Sequence, residues 1–143
     1  MINGYIPAAR FLPFLSWTDV AALPDKSNTV IVLPTGAIEQ HGPHLPCSVD
    51  SVISSGVAGH ALARLPATIP AYAIPPIVYG KSEEHLHFPG TLTLSGDTLL
   101  HTLLEIAESL YRAGFRKLLM INGHGGQPQI LQIACREMRL RHG

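Results

Sequence analysis

The sequence predicts an α/β domain, with three layers, α/β/α, around a mainly parallel sheet. Three observations carry this expectation. Two short runs, TVIVLPTG at 29–36 and RKLLMIN at 116–122, are apolar on both parities, as strands covered on both faces are. Segments with helical spacing follow them, so the elements alternate β, α, β, α, β, α and right-handed crossovers join parallel strands. The chain has 143 residues, a length that suits one compact domain with a core of its own.

In chain order, residues 1–16 carry Gly4, Pro7 and Pro13 among scattered apolar residues and read as an irregular arm. Ser16 can cap a short helix in WTDVAALP. TVIVLPTG is the central strand. The helix over 50–65 sets Val52, Ile53, Val57, Ala61, Leu62 and Leu65 on one apolar face, with Asp50 available to cap its start. ATIPAYAIPPIVYG contains three prolines, so only AYAI or IVYG can pair regularly. GTLTL at 90–94 alternates and predicts a short strand or an edge. From 95, Leu99, Leu100, Leu103, Leu104, Ile106, Ala107 and Leu110 form a wide helical stripe that stops at Gly114. RKLLMIN is a second buried strand, and a helix follows the turn GHGG.

Charged residues make up 14% of the chain, against roughly 25% in typical soluble domains, which predicts apolar surface hidden at a subunit interface. Ten basic residues balance ten acidic ones, so neither a nucleic-acid footprint nor a polybasic membrane anchor is present. No apolar run approaches the roughly 20 residues that span a bilayer, and MINGYIPAAR lacks the apolar core of a leader. Cys47 and Cys135 form no metal or disulfide framework, and the expected location is the cytoplasm.

Ligands of such sheets bind beyond the carboxyl ends of the strands. Two turns lie there. One holds Glu39, His41, His44 and Asp50, the other Asn122 and His124. Glu39 and His41 are two apart and project to one side of an extended segment, and the Gly42-Pro43 bend can return Asp50 towards them. His124, between Gly123 and Gly125, offers a fourth ligand. Imidazole mixed with carboxylate suits divalent zinc or manganese. With two carboxylates, one can bridge two ions about 3.5–4 Å apart and lower the pKa of bound water to roughly 7, which points to hydrolysis.

The blocks IVLPTGAIEQHGPHLPCSVD, YGKSEEHLHFPGTLTLS and MINGHGG resemble, in the same order, three N-terminal blocks of the creatininase (creatinine amidohydrolase) family. The resemblance covers roughly residues 16–140. It implies a metal-dependent amidohydrolase that cleaves a non-peptide C–N bond of a small amide, formamide or cyclic amide with metal-activated water. It also implies a two-metal centre of zinc or manganese, sometimes iron, and a hexamer-type homo-oligomer. By motif position, Glu39, His41, Asp50 and His124 match the metal ligands, with Asp50 in the bridging place. Glu39 and His124 are also the catalytic candidates, Ser82 and His85 fall in the block lining the substrate pocket, and His44 serves as support for the turn.

The chain also departs from the family pattern. Creatininase itself has an acidic residue shortly after the glycine-flanked histidine, where this chain has Gly125, Gly126 and Gln127. That places it nearer the relatives with NGHGGN, which open formamide or peptide-like C–N bonds, although Gln127 replaces their Asn. Family members continue into a segment with further motifs, so residues 1–143 are expected to be one creatininase-like domain, incomplete at its C-terminus or completed by a partner chain. Two other readings stand beside the enzyme: an inactive relative with a role in assembly, and a phosphate- or nucleotide-binding module at GHGG. Against the second, Pro128 occupies the place of the third glycine in a G-x-G-x-x-G fingerprint.

Overall fold

The computed structural model describes residues 2–143. Helix α1 (Trp17–Ala22) begins at a capping box in which the Ser16 hydroxyl accepts from Asp19 N and the Asp19 carboxylate accepts from Ser16 N. Strand β1 (Val30–Thr35), helix α2 (Val49–Arg64), strand β2 (Ala71–Ala73), helix α3 (Gly96–Arg112), strand β3 (Lys117–Asn122) and helix α4 (Pro128–His142) follow. All strand pairs are parallel and the sheet order is β2-β1-β3.

Alternation along β1 divides the core into two. Ile31 and Leu33 face α3 and α4, where they pack with Leu99, Leu103, Phe115, Leu131 and Ala134. Val32 faces the other way, towards Ala58 and Leu62 of α2 and towards Ile6 and Phe11 of the arm. The α/β/α layering follows from that division. The arm is anchored as well as packed: the Arg10 guanidinium donates to the carbonyls of Leu65, Pro66 and Ile69, and Phe11 bridges to Ala73. Met1 lies outside the described residues.

β1 tolerates Pro34 at the centre of the sheet. Residues 30, 32 and 34 accept or donate towards the β2 side, and Pro34 accepts from Ile77 N beyond the end of β2. Its missing N–H therefore removes no bond from the ladder.

Several expectations need correction. GTLTL is a strap and not a strand: Leu92 N bonds Ile38 O while Leu94 N bonds Gly80 O, so its backbone ties two separate segments together. β2 comes from AYAI, whereas in IVYG only Ile77 forms an isolated bridge, to Thr35. β3 is an edge strand, because β1 pairs one of its sides and no other strand pairs the second among the described residues, and none of its residues is fully buried.

The buried face of α2 is also different from the expected one, sharing only Leu62 with it. Val52, Ile53 and Val57 are exposed, and the buried residues are Asp50, Ser51, Ser54, Ser55, Ala58, Gly59 and Leu62. Small residues face inward because the helix approaches the backbone closely. A Cβ on Gly36 would lie 2.5 Å from Ser51 Cα, and one on Gly123 would lie 2.4 Å from Asp50 O. Ser51 Oγ sits 3.0 Å from both Ala37 O and Val78 O, so the start of α2 is hydrogen-bonded to the segments it touches. The close approach carries Asp50 to the ends of β1 and β3. Asp50 accordingly does not cap the helix; Ser48 occupies the N-cap position.

Candidate metal centre

β1 and β3 end side by side, with Thr35 paired to Asn122, and the residues after each end supply the site. Glu39 is held through its backbone, Glu39 N donating to Cys47 O, and through its side chain, which accepts from the Ser82 hydroxyl. Asn122 fixes the His124 backbone from both sides: its amide nitrogen donates to His124 O at 2.7 Å and its oxygen accepts from His124 N at 3.2 Å. Asp50 enters from the first turn of α2. Glu39, Asp50 and His124 are buried and His41 is partly buried.

The four sequence-predicted ligands converge. His41 Nε2 lies 2.9 Å from Asp50 Oδ1, and His124 Nδ1 lies 2.9 Å from Asp50 Oδ2 and 3.3 Å from Glu39 Oε1. The other nitrogen of each ring settles its tautomer. His41 Nδ1 is 3.1 Å from the Glu39 carbonyl, and His124 Nε2 is 2.7 Å from the Lys81 carbonyl. A carbonyl only accepts, so both of those nitrogens carry the ring proton. In a neutral ring the remaining nitrogen is a bare lone pair, and here each one faces a different oxygen of Asp50.

A lone pair pressed against an ionised carboxylate is repulsive unless a cation lies between them. The arrangement therefore calls for a cation on each side of Asp50, either a proton or a metal ion. Burial is the largest effect on Glu39 and pushes its carboxyl above the usual range, with the nearby Asp50 charge adding to it. For His41 burial acts downward, but the Glu39 carbonyl and the Asp50 charge outweigh it and the imidazole is held above its ordinary value. The donor set fits a divalent ion: Glu39, His41 and Asp50 offer ligand atoms within 4.8 Å of one another. The backbone carbonyls on the far ring nitrogens orient the histidines, as partners of metal-ligating histidines do.

Other residues flagged from the sequence fall on either side of this boundary. His85 Nε2 stands 3.9 Å from Glu39 Oε2 and its ring is partly exposed. Ser82 is fully buried, with its hydroxyl engaged by Glu39 and its N–H by Thr93 Oγ1, so it is placed to orient a ligand carboxylate. His44 is exposed beside Gly42 and makes no hydrogen bond to the centre among the described contacts. Cys47 and Cys135 are free thiols. Surface clefts occur between α3 and α4 and beside Tyr111 and Phe115, away from the centre.

Two contributors were not singled out from the sequence. Gln127, noted only as a replacement for Asn, is fully buried; its amide nitrogen donates to Asn122 Oδ1 and Gly36 O, and its oxygen accepts from Lys81 N. It thereby ties the ends of β1 and β3 to Lys81, the residue whose carbonyl holds His124. Glu84 brings a carboxylate oxygen within 4.8 Å of ligand atoms on Glu39 and His124. Its position within the run Glu83-Glu84-His85 is the only sequence signal for it, and an acidic pair of that kind reads as a solvated turn.

The family described as creatinine amidohydrolase matches residues 13–143. The chain belongs to the creatininase family. It is 34% identical over 138 residues to the creatinine amidohydrolase of Pseudomonas putida, covering 90% of this chain and 52% of that protein. It is 38% identical over 112 residues to the mycofactocin precursor peptide peptidase of Mycolicibacterium smegmatis, covering 77% and 45%. A manganese creatininase structure superposes with a TM-score of 0.78 at 33% identity, covering 92% of this chain and 53% of that one. A zinc–zinc creatininase variant superposes at 0.73 and 30%. The chain thus spans about half the length of the curated creatininase-family relatives it matches.

Proposed function

We propose that this creatininase-family chain carries the metal centre of an amidohydrolase that opens a C–N bond in a small amide, formamide or cyclic amide. The observation that carries the reading is the pair of 2.9 Å contacts from His41 Nε2 and His124 Nδ1 to the two oxygens of Asp50, an arrangement that two divalent ions would suit. Zinc and manganese suit the imidazole and carboxylate donors, and both metals are named for creatininase neighbours. A divalent ion bound there would supply Lewis acidity at the amide carbonyl and lower the pKa of water to roughly 7.

The chain's own residues would do the rest. Glu39, fixed by the Ser82 hydroxyl and lined by His124, presents one oxygen to the centre and can take up a proton at that atom more readily than an exposed carboxylate, since burial holds its carboxyl above the usual range. His124 keeps its orientation through the Lys81 carbonyl and the Asn122 amide. His85, close to Glu39 and open to solvent, is placed to donate to a substrate carbonyl or to the departing nitrogen. The relatives favour two substrate classes, creatinine-like cyclic amides and peptide-like amides, according to their names. The run Gly125-Gly126-Gln127, where creatininase itself carries an acidic residue, points away from creatinine.

The exposed stripe of Val52, Ile53 and Val57 supports association between copies, in line with the low charge content. No helix among the described residues is long and apolar enough to cross a membrane. The test of the function is hydrolysis of a panel of formamides, cyclic amides and short peptides by metal-stripped protein, before and after zinc or manganese is restored. Turnover that returns with metal and is absent in Asp50→Asn supports the reading, and turnover indifferent to metal contradicts it.

A further inference from the structure

The turn that buttresses the proposed centre carries an unused carboxylate. Residues Lys81, Ser82 and His85 already touch the centre: the Lys81 carbonyl holds His124 Nε2, the Ser82 hydroxyl holds Glu39, and His85 Nε2 stands 3.9 Å from Glu39. Glu84 projects from the same single 3-10 turn, Glu83–His85. A carboxylate oxygen of Glu84, one of Glu39 and a ring nitrogen of His124 all lie within 4.8 Å of one another.

Gly126 is what admits that carboxylate. A Cβ at this position would lie 2.5 Å from Glu84 Oε1, 2.6 Å from His124 Nε2 and 2.7 Å from Lys81 O. Any side chain there would displace the carboxylate, the ring or the carbonyl. Gly126 is not among the glycines with positive φ, so backbone conformation does not account for the missing side chain. The space beside His124 is instead filled from across the site, by Glu84.

An ordinary surface ion pair is a poor account of where Glu84 sits. Lys81 Nζ is 4.0 Å from Glu84 but 3.1 Å from Glu83, so the ammonium is engaged mainly by the neighbour. Exposed pairs of this kind hold a side chain weakly in any case. Glu84 keeps about half of its side chain exposed, which leaves the carboxylate free to turn towards the centre.

We propose that Glu84 is a further carboxylate ligand of the ion held by Glu39 and His124, and that Gly126 is the gap through which it reaches that ion. This rests on the metal-centre reading above. The centre then takes an extra acidic ligand from the 83–85 turn.

Metal-stripped chain is titrated with Zn²⁺ against a chromophoric chelator, and separately with Co²⁺ while its visible absorption is followed. The set is the unaltered chain, Glu84→Gln, Gly126→Ala and, as a charge control, Glu83→Gln. Glu84→Gln and Gly126→Ala should each weaken one equivalent of Zn²⁺ by at least about tenfold and alter the Co²⁺ bands. Glu83→Gln should leave both readouts unchanged. Gly126→Ala keeps the test independent of any folding defect in Glu84→Gln. Unchanged affinity and an unchanged Co²⁺ spectrum in Glu84→Gln overturn the assignment while leaving the metal centre standing. An unaltered chain that binds no metal overturns both.

Discussion

Gly36→Ala probes how the centre is built without touching a ligand. The new Cβ would stand 2.5 Å from Ser51 Cα, against an ordinary contact that begins at 3.4 Å, so α2 must retreat by about 0.9 Å. The neighbour is helix backbone, and no rotamer change relieves the clash. Asp50 lies one residue before Ser51 and stands 2.9 Å from both histidines, so the same retreat moves its carboxylate. Metal–ligand distances tolerate only about 0.2 Å, and an overpacked site of this kind costs about 1–3 kcal/mol. The expected result is a modest fall in the urea midpoint of the metal-free protein together with a much larger loss of zinc affinity, read by chelator competition. Wild-type zinc affinity in a folded Gly36→Ala protein would refute the claim that the close approach of α2 positions Asp50.

Three other outcomes follow from the same geometry. Gln127→Ala strands the Lys81 N–H and the Gly36 carbonyl, and should lower unfolding stability by about 1–3 kcal/mol in denaturant melts, with looser zinc binding through the freed Lys81 peptide. Asp50→Asn removes the charge both ring nitrogens face, so bound zinc, measured by elemental analysis, should fall by more than in His124→Ala, which touches one side only. Metal uptake should release protons, because Glu39 and His41 both hold theirs above their ordinary values of 4.5 and 6.5. Both groups bind protons more tightly when folded. Their contribution to metal-free stability is therefore complete below pH 4.5 for Glu39 and below 6.5 for His41, and is lost as pH rises through each raised value. Calorimetry in buffers of different ionisation enthalpy and urea midpoints across pH measure the two effects; zinc uptake without proton release would be the contrary result.

The sequence made the convergence of the candidate ligands legible because strand-end topology and ligand chemistry coincide: Glu39 and His41 leave β1, His124 leaves β3, and parallel strands end together. Asp50 was legible as a ligand but not as an element of the fold. Its helix was expected to bury Val52, Ile53 and Val57, and instead buries serines, Ala58 and Gly59, because close approach at Gly36 and Gly123 admits only small side chains. Hydrophobic periodicity does not register that constraint. RKLLMIN was read as a buried strand from its composition alone, yet no residue of β3 is fully buried. GTLTL alternates like a strand, but its hydrogen bonds go to Ile38 and Gly80, partners no local pattern identifies. Gln127 and Glu84 remained hidden for a related reason, since their roles depend on contacts with residues 36, 81 and 126 across the site.

The central claim is that Asp50 bridges two divalent ions, and anomalous diffraction from zinc-soaked crystals tests it most directly. The account predicts two peaks about 3.5–4 Å apart, one between Asp50 and His41 and the other between Asp50, Glu39 and His124. Zinc-soaked crystals with no peak at Asp50, or with zinc bound only at other residues, would contradict it.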